Sequence, residues 1–332
     1  MNNKKLDLLD IDSLKNRMLE IERNTNEIYD VYGTYYYNLA MNKLNSNIKI
    51  IPIKDKKGLI VGGIYINKLT NSRYISSDSI IFLDCNDDVV ERFINKKLRG
   101  VNIHVRLPVY SNIDLSLHKP KFQSKTVIIK ILNDETLQLK RIKKTRRQSI
   151  FKGSNIEGIR VTELNNIDDY LSAFEILNNH AKYKGYKVGQ TKEKIRLYYE
   201  LLRPLNLVHI IGCFINDKLV AGIILLCTKK YCRTESIFEL PELTSDVPSF
   251  IMWKTILFCQ DINVKYLDLA GYPDNHSYLS GIGYFKKSFG GDIVEHKDYD
   301  EDIFYRFRYS LTNNPHVQSI YKFAKEKRKA IK

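Results

Sequence analysis

Sliding the sequence along itself from residue 48 to residue 208 lays IKIIPIKDKKGLIVGGIYI (48–66) over VHIIGCFINDKLVAGIILL (208–226) without a gap. Ile50 and Ile210, Ile51 and Ile211, Leu59 and Leu219, Gly62 and Gly222, and Ile64 and Ile224 coincide. Each copy reads as two apolar strands around a polar turn, Asp55-Lys56-Lys57-Gly58 in one and Asn216-Asp217-Lys218 in the other. Any two antiparallel hairpins share alternating apolar residues, but the common glycine and turn position point to duplication of one domain type. The 332 residues agree, being too many for one ordinary core and enough for two of roughly 150.

The segments around the hairpins fit that division. Asp12 and Ser13 can cap a helix carrying Leu14, Met18 and Ile21, and a second helix starts at Asp87–Asp88 with Val89, Val90, Phe93, Ile94 and Leu98 inward. VNIHVRLPV (101–109) and TVIIKIL (126–132) read as further strands. The second half repeats this grammar. Helices over YLSAFEILNNHA and KEKIRLYYELL precede the hairpin, and YCRTESIF, a helix around SFIMWKTILFCQDI, the strand KYLDLA and a helix around GIGYFKKSF follow it. The expected class is α/β (α+β): two tandem domains, each a mixed, mostly antiparallel sheet flanked by helices. The expected limits are 1–133 for the first domain, 134–152 for a basic connecting helix, 153–312 for the second domain, and 313–332 for a basic C-terminal helix packing back on the first.

Charge narrows the partners. Fifty-three Lys and Arg against thirty-eight Asp and Glu leave +15, which attracts a polyanion such as RNA, a nucleotide-linked sugar or an anionic membrane surface. A merely solubilising lysine-rich surface is the alternative. Five cysteines without CxxC spacing, several inside apolar runs, read as buried thiols of a reducing cytosol rather than a disulfide framework or zinc site. The N-terminus has no signal-like apolar core, and no run approaches the roughly 18 apolar residues of a membrane span. A soluble cytoplasmic protein is expected.

A hairpin with a small turn followed by an L-V-A-G strand is common in the GNAT acyltransferase fold, which this order of strands and helices resembles. The usual GNAT cofactor loop, Q/R-x-x-G-x-G/A, lets backbone N–H groups cradle the coenzyme A pyrophosphate at a helix N-terminus. The matching stretches here, TNSRYISSDS and PELTSDVPSFIMW (241–253), contain no glycine, which argues against ordinary acetyl-CoA binding.

Two stretches carry candidate chemistry. KRIKKTRRQSIFK (140–152) holds seven basic residues and no acid. Its adjacent Arg146 and Arg147, with Lys143, suit phosphate contacts at a domain junction, and a solvated helix is the alternative. In LDLAGYPDNHSYLSGIGYFKKSFGG (267–291) a strand ends, a polar turn follows and a helix begins near Tyr278. Phe285 and Phe289 would face the core with Lys286 between them, placed to stabilise developing negative charge; a plain amphipathic helix is the alternative. Asp268 is the best carboxylate for a general base, against a simple turn cap. His276 reads as a surface residue and His104 as an outward or satisfied sheet residue. No HxxxH, HExxH, GxSxG or Cys–His pattern supports a metal or an acyl-enzyme.

Gly281-Ile282-Gly283-Tyr284-Phe285-Lys286-Lys287-Ser288-Phe289-Gly290-Gly291 resembles the G-(x)-x-x-F-K-x-x-F-G-G element of the Fem family, aminoacyl-tRNA-dependent transferases that add amino acids to peptidoglycan precursor peptides. KTVIIKIL and KKTRRQSIFKG resemble that family's strand and basic helix leading into the second domain, and Trp253 before KYLDLAG fits its pattern. The likeness covers roughly residues 120–298. It implies two GNAT-like domains, aminoacyl-tRNA as donor, a nucleotide- or lipid-linked peptide as acceptor, no cofactor and no metal. It also implies a site in which Phe285 and Lys286 lie at the tRNA 3′ end, Arg146 or Arg147 holds acceptor phosphates, and Lys143 and Tyr284 assist binding. The helical-hairpin arm of some members has no counterpart, so the chain looks like the compact, FemX-like type. The basic run 321–332 leaves a peripheral membrane contact open. Two other readings stand beside this one: an acyl-CoA-dependent N-acyltransferase acting on an amino sugar, polysaccharide or lipid, and a non-catalytic RNA-binding module.

Overall fold

The structure is a computed structural model that describes residues 7–45, 48–68, 75–76, 80–83, 86–99, 101, 103–115, 125–185, 188–244, 246–273 and 280–300. The stretch TNSRYISSDS apart from Ile75 and Ser76, Cys85, His276, Tyr278 and the C-terminal helix expected over 313–332 lie outside them.

In chain order the elements are β1 (Leu9–Asp10), α1 (Lys15–Asn24), α2 (Tyr35–Asn45), β2 (Ile48–Lys54), β3 (Ile60–Lys68), β4 (Ile75–Ser76), β5 (Ile80–Phe82), α3 (Asp87–Arg92), β6 (Ile103–Arg106) and β7 (Lys125–Lys130). Then come α4 (Glu135–Arg141), α5 (Lys144–Ser154), β8 (Ile159–Glu163), α6 (Ile167–Lys184), α7 (Lys192–Leu197), β9 (Val208–Ile215), β10 (Lys218–Cys227) and β11 (Tyr231–Glu239). The last are α8 (Asp246–Asp261), β12 (Tyr266–Asp268), α9 (Ser280–Lys287), β13 (Asp292–Glu295) and β14 (Asp298–Asp300).

Two mixed sheets result. The first runs β1-β2-β3-β4-β6-β14, with β5 also on β3, and the second runs β13-β7-β12-β11-β10-β9-β8. Each contains one parallel pair, β4 with β6 and β11 with β12, and the other pairs are antiparallel. Each is also extended by a strand from beyond its own half. β7 lies before residue 133 yet pairs with β12 and β13 of the second sheet, while β14 crosses back to β6 of the first. A buried ion pair, Arg106 Nε to Asp298 Oδ1 at 2.9 Å, ties that returning strand in place.

The duplicated hairpins occupy matching places. Gly62 pairs with Phe82 on β5, and Gly222 pairs with Phe238 on β11. A Cβ at Gly62 would lie 2.8 Å from Phe82 Cβ, and one at Gly222 would lie 2.5 Å from the Phe238 ring, so each shared glycine makes room for an aromatic on the next strand. The turns differ. The first closes as Gly58 N–H donates to Asp55 O, the second through Asn216 and Asp217, both at positive φ as a two-residue hairpin turn requires. Ile51 therefore faces Ile64, whereas Ile211 faces Ile223 rather than Ile224.

Several local expectations need correction. Asp12 does not cap α1: Leu14 sits at the cap position, and the Asp12 carboxylate accepts from Tyr35 OH at 2.6 Å. The connecting helix is two helices, broken where Ile142 turns extended, with ψ 136°. Cys227 and Cys232, expected as free thiols, are joined in a disulfide because β10 and β11 pair them directly, while Cys213 and Cys259 are buried free thiols. No helix among the described residues is long and apolar enough to cross a membrane.

The halves share a core. Val31, with Tyr37 and Ala40 of α2, packs among Tyr170, Leu177, Tyr198 and Phe238 of the second half. Burying such side chains contributes roughly 1.5–3 kcal/mol each.

Candidate active site

The site grows from the end of β12. Asp268 is fully buried, and its carboxylate accepts from Thr126 Oγ1 of β7, from Tyr231 OH of β11 and from the Ala270 N–H at 2.6 Å. Ala270 is held at φ 56°, a left-handed conformation that L side chains adopt at a cost. That geometry turns its carbonyl, together with that of Gly271, toward α9. Lys286 Nζ donates to both, at 2.7 Å each. Lys286 is thus seated on backbone carbonyls rather than between Phe285 and Phe289. Burial pulls its pKa down to about 8, against the attraction of Asp268 and helped by the repulsion of Arg233. Two of the three ammonium donors are used, which leaves one for a ligand oxygen.

The rest of the motif fixes α9 to the basic helix. Phe285 and Phe289 meet edge to face with centroids 5.1 Å apart, and the Arg146 guanidinium lies 4.6 Å above the Phe285 ring. Arg146 Nε donates to Ser288 Oγ at 2.9 Å, and Nη1 to Ser249 Oγ of α8 at 2.6 Å. Gly290 sits at φ 81°, and a Cβ there would lie 2.6 Å from Arg141 O, so glycine lets the α4–α5 break close over the end of α9. Arg146, expected on substrate phosphates, is therefore turned inward as a clamp. Arg147 caps α4, its Nη1 donating to the carbonyls of Lys140 and Ile142. Lys143 Nζ lies 4.6 Å from the ring centroid of the half-exposed Tyr284.

Across the junction stand groups that the linear pattern did not single out. Arg233 of β11 donates to Asp30 Oδ2, at 3.0 Å, and lies over the Tyr32 ring. Burial opposes the Arg233 charge, but Asp30 and Asp268 outweigh it and hold its pKa well above the ordinary value. Tyr32 OH donates to Glu235, which also accepts from Gln190 Nε2 at 2.9 Å beside a hollow of about 330 Å³. Glu235 is the unpaired extra residue of a bulge, since Leu225 faces Thr234 and Ile224 faces Ser236. The alternation Tyr231, Arg233, Glu235 was the available signal: a tyrosine and two charged residues at period two, interleaved with Cys232 and Thr234. His296, between β13 and β14, is buried with Nδ1 unpaired, and burial and Arg106 bring its pKa down to about 4. His104 is buried on β6 rather than turned outward.

No protein-family model and no curated protein matches the sequence. Solved structures do. FemX superposes with a TM-score of 0.68 at 11% identity, over 90% of this chain and 98% of that one. L-PGS from Bacillus licheniformis gives 0.59 at 8% identity over 90% and 95%. The C-terminal domain of an Agrobacterium fabrum protein described as a lysylphosphatidylglycerol synthetase gives 0.57 at 12% over 87% and 92%. The chain has the fold of FemX and these proteins, built on two mixed sheets flanked by helices.

Proposed function

We propose that the protein is an aminoacyltransferase that moves an amino acid from aminoacyl-tRNA to an amine of a cell-envelope or related peptide precursor. The observation that carries this reading is Lys286, delivered by the Phe285–Gly291 element onto the carbonyls of Ala270 and Gly271 beside buried Asp268. Similarity to FemX and to a domain described as a lysylphosphatidylglycerol synthetase supports it, since the latter name describes attachment of an amino acid.

In this reading a neutral acceptor amine attacks the ester carbonyl of the donor. The new N–C bond forms, the C–O bond to the ribose breaks, and the amine proton ends on the released ribose oxygen. Catalysis then rests on orientation and charge stabilisation. The remaining Lys286 N–H meets the tetrahedral oxyanion or the leaving oxygen. Phe285 borders that point and holds Arg146. Asp268, held by three donors, is a positioning residue: it fixes Ala270 and favours the Lys286 ammonium. Arg146 positions α9, while Lys143, Arg147 and Tyr284 offer the outward surface for a phosphate-bearing substrate.

The acyl-CoA reading is disfavoured by the stretch 241–253 leading into α8, which has no glycine to let backbone N–H groups close on a pyrophosphate. Incubation with charged tRNA and candidate peptide amines, read by mass spectrometry, tests the proposal. An added aminoacyl mass that RNase prevents is expected, and transfer from acyl-CoA without RNA would overturn it.

A further inference from the structure

The two faces of α5 do different work. Arg146, Ile150 and Gly153 face α8 and the core, whereas Lys144, Arg147, Gln148, Phe151 and Lys152 form one stripe at helical spacing that lines a hollow of about 420 Å³. Phe151 is 68% exposed, the highest exposure among the large hydrophobic side chains described. The first turn of α5 holds Lys144, Arg146 and Arg147 and no acid, so its charge opposes the helix dipole instead of serving helix stability. The surface continues through Lys143 to Tyr284 on α9, the helix that carries Lys286.

We infer that this stripe is a docking site for single-stranded RNA, with an unpaired base stacked on Phe151 and backbone phosphates on Lys144, Arg147 and Lys152. An aromatic platform within a cationic rim is what sequence-tolerant single-strand binding requires. Arg147 spends Nη1 on helix carbonyls and keeps Nε and Nη2 for a phosphate. An anionic membrane fits less well, because one apolar side chain among five gives little to insert. As a site for the donor, the stripe rests on the aminoacyl-tRNA reading.

The test is fluorescence anisotropy with a short labelled single-stranded RNA, and with uncharged tRNA, on the full chain. Phe151→Ala is expected to weaken binding about tenfold, Phe151→Trp to keep it, and Phe151→Leu to match the alanine variant. Lys144→Gln, Arg147→Gln and Lys152→Gln together should flatten the log–log salt slope by about two, at roughly 0.7 per phosphate contact. Because Phe151 is exposed, its variants should fold as the parent does. Unchanged affinity in these variants overturns the site. So does a Leu variant that binds RNA like the parent while phosphatidylglycerol vesicles lose affinity for the alanine variant. If the variants weaken RNA binding but transfer needs no tRNA, only the donor reading falls. If transfer needs tRNA but the variants leave its KM unchanged, only this site falls.

Discussion

Lys286 Nζ stands 2.7 Å from the carbonyl oxygen of Ala270, whose own N–H is bonded to the buried Asp268 carboxylate. One strained residue therefore joins the strand-end acid to the helix-borne amine. Replacing Lys286 with Ala should lower turnover about a hundredfold, the scale of losing one oxyanion donor. Thermal unfolding should stay near the parent value, because the lost ammonium was itself partly desolvated. Loss of stability with turnover intact would remove Lys286 from the chemistry.

The pH profile separates donor from base. With its pKa lowered to about 8, Lys286 is an ammonium below that pH and a neutral amine above it. Turnover should fall as pH rises through about 8, and Lys286→Arg should move that descent to higher pH. A rise through the same window that Lys286→Ala abolishes would make Lys286 a proton acceptor, whereas a rise that persists in Lys286→Ala belongs to the acceptor amine losing its own proton.

Arg233 and Asp30 hold the halves together from positions 203 residues apart. Arg233→Ala leaves the Asp30 carboxylate buried without its ion-pair partner, an expected cost of about 3–5 kcal/mol in urea unfolding. Asp30→Asn in the Arg233→Ala background should recover part of that loss.

His296 gives an acid-sensitive term. Its folded pKa of about 4 lies below the ordinary 6.5, so the unfolded chain binds a proton first as pH falls. The groups that act on it are Arg106, Arg233, Asp268 and Asp298. The stability it contributes is present above pH 6.5 and lost between 6.5 and 4, about 3 kcal/mol in full. His296→Gln should flatten the unfolding free energy across that window.

The duplicated glycines make a stability test. Gly222→Ala drives a Cβ into the Phe238 ring and the Ile211 carbonyl, at an expected cost of about 1–3 kcal/mol. Gly189→Ala, with nothing within 4 Å of its Cβ, should unfold with the parent.

Much of the fold was legible in the linear pattern because it is local. Alternation marked β2, β3, β9 and β10. Helical spacing put Met18, Ile21, Val90, Ile94 and Leu98 inside, where all are 0% exposed. The spacing F-K-x-x-F-G-G also marked the α9 element, where Phe289 enters the core and Gly290 ends the turn.

The duplication this sequence displays, one hairpin repeated around a shared glycine, determined by itself that the chain would build two similar sheets. Which strands complete them was decided only in three dimensions: β7 joins the second sheet and β14 the first. So were the inward turn of Arg146, the pairing of Asp30 with Arg233, the disulfide between Cys227 and Cys232, and the carbonyl seat of Lys286. The physical reason is common to all of them. Side-chain period is a property of neighbours along the chain and states which face is apolar. What that face meets depends on strand register and helix docking, which bring together residues far apart in sequence.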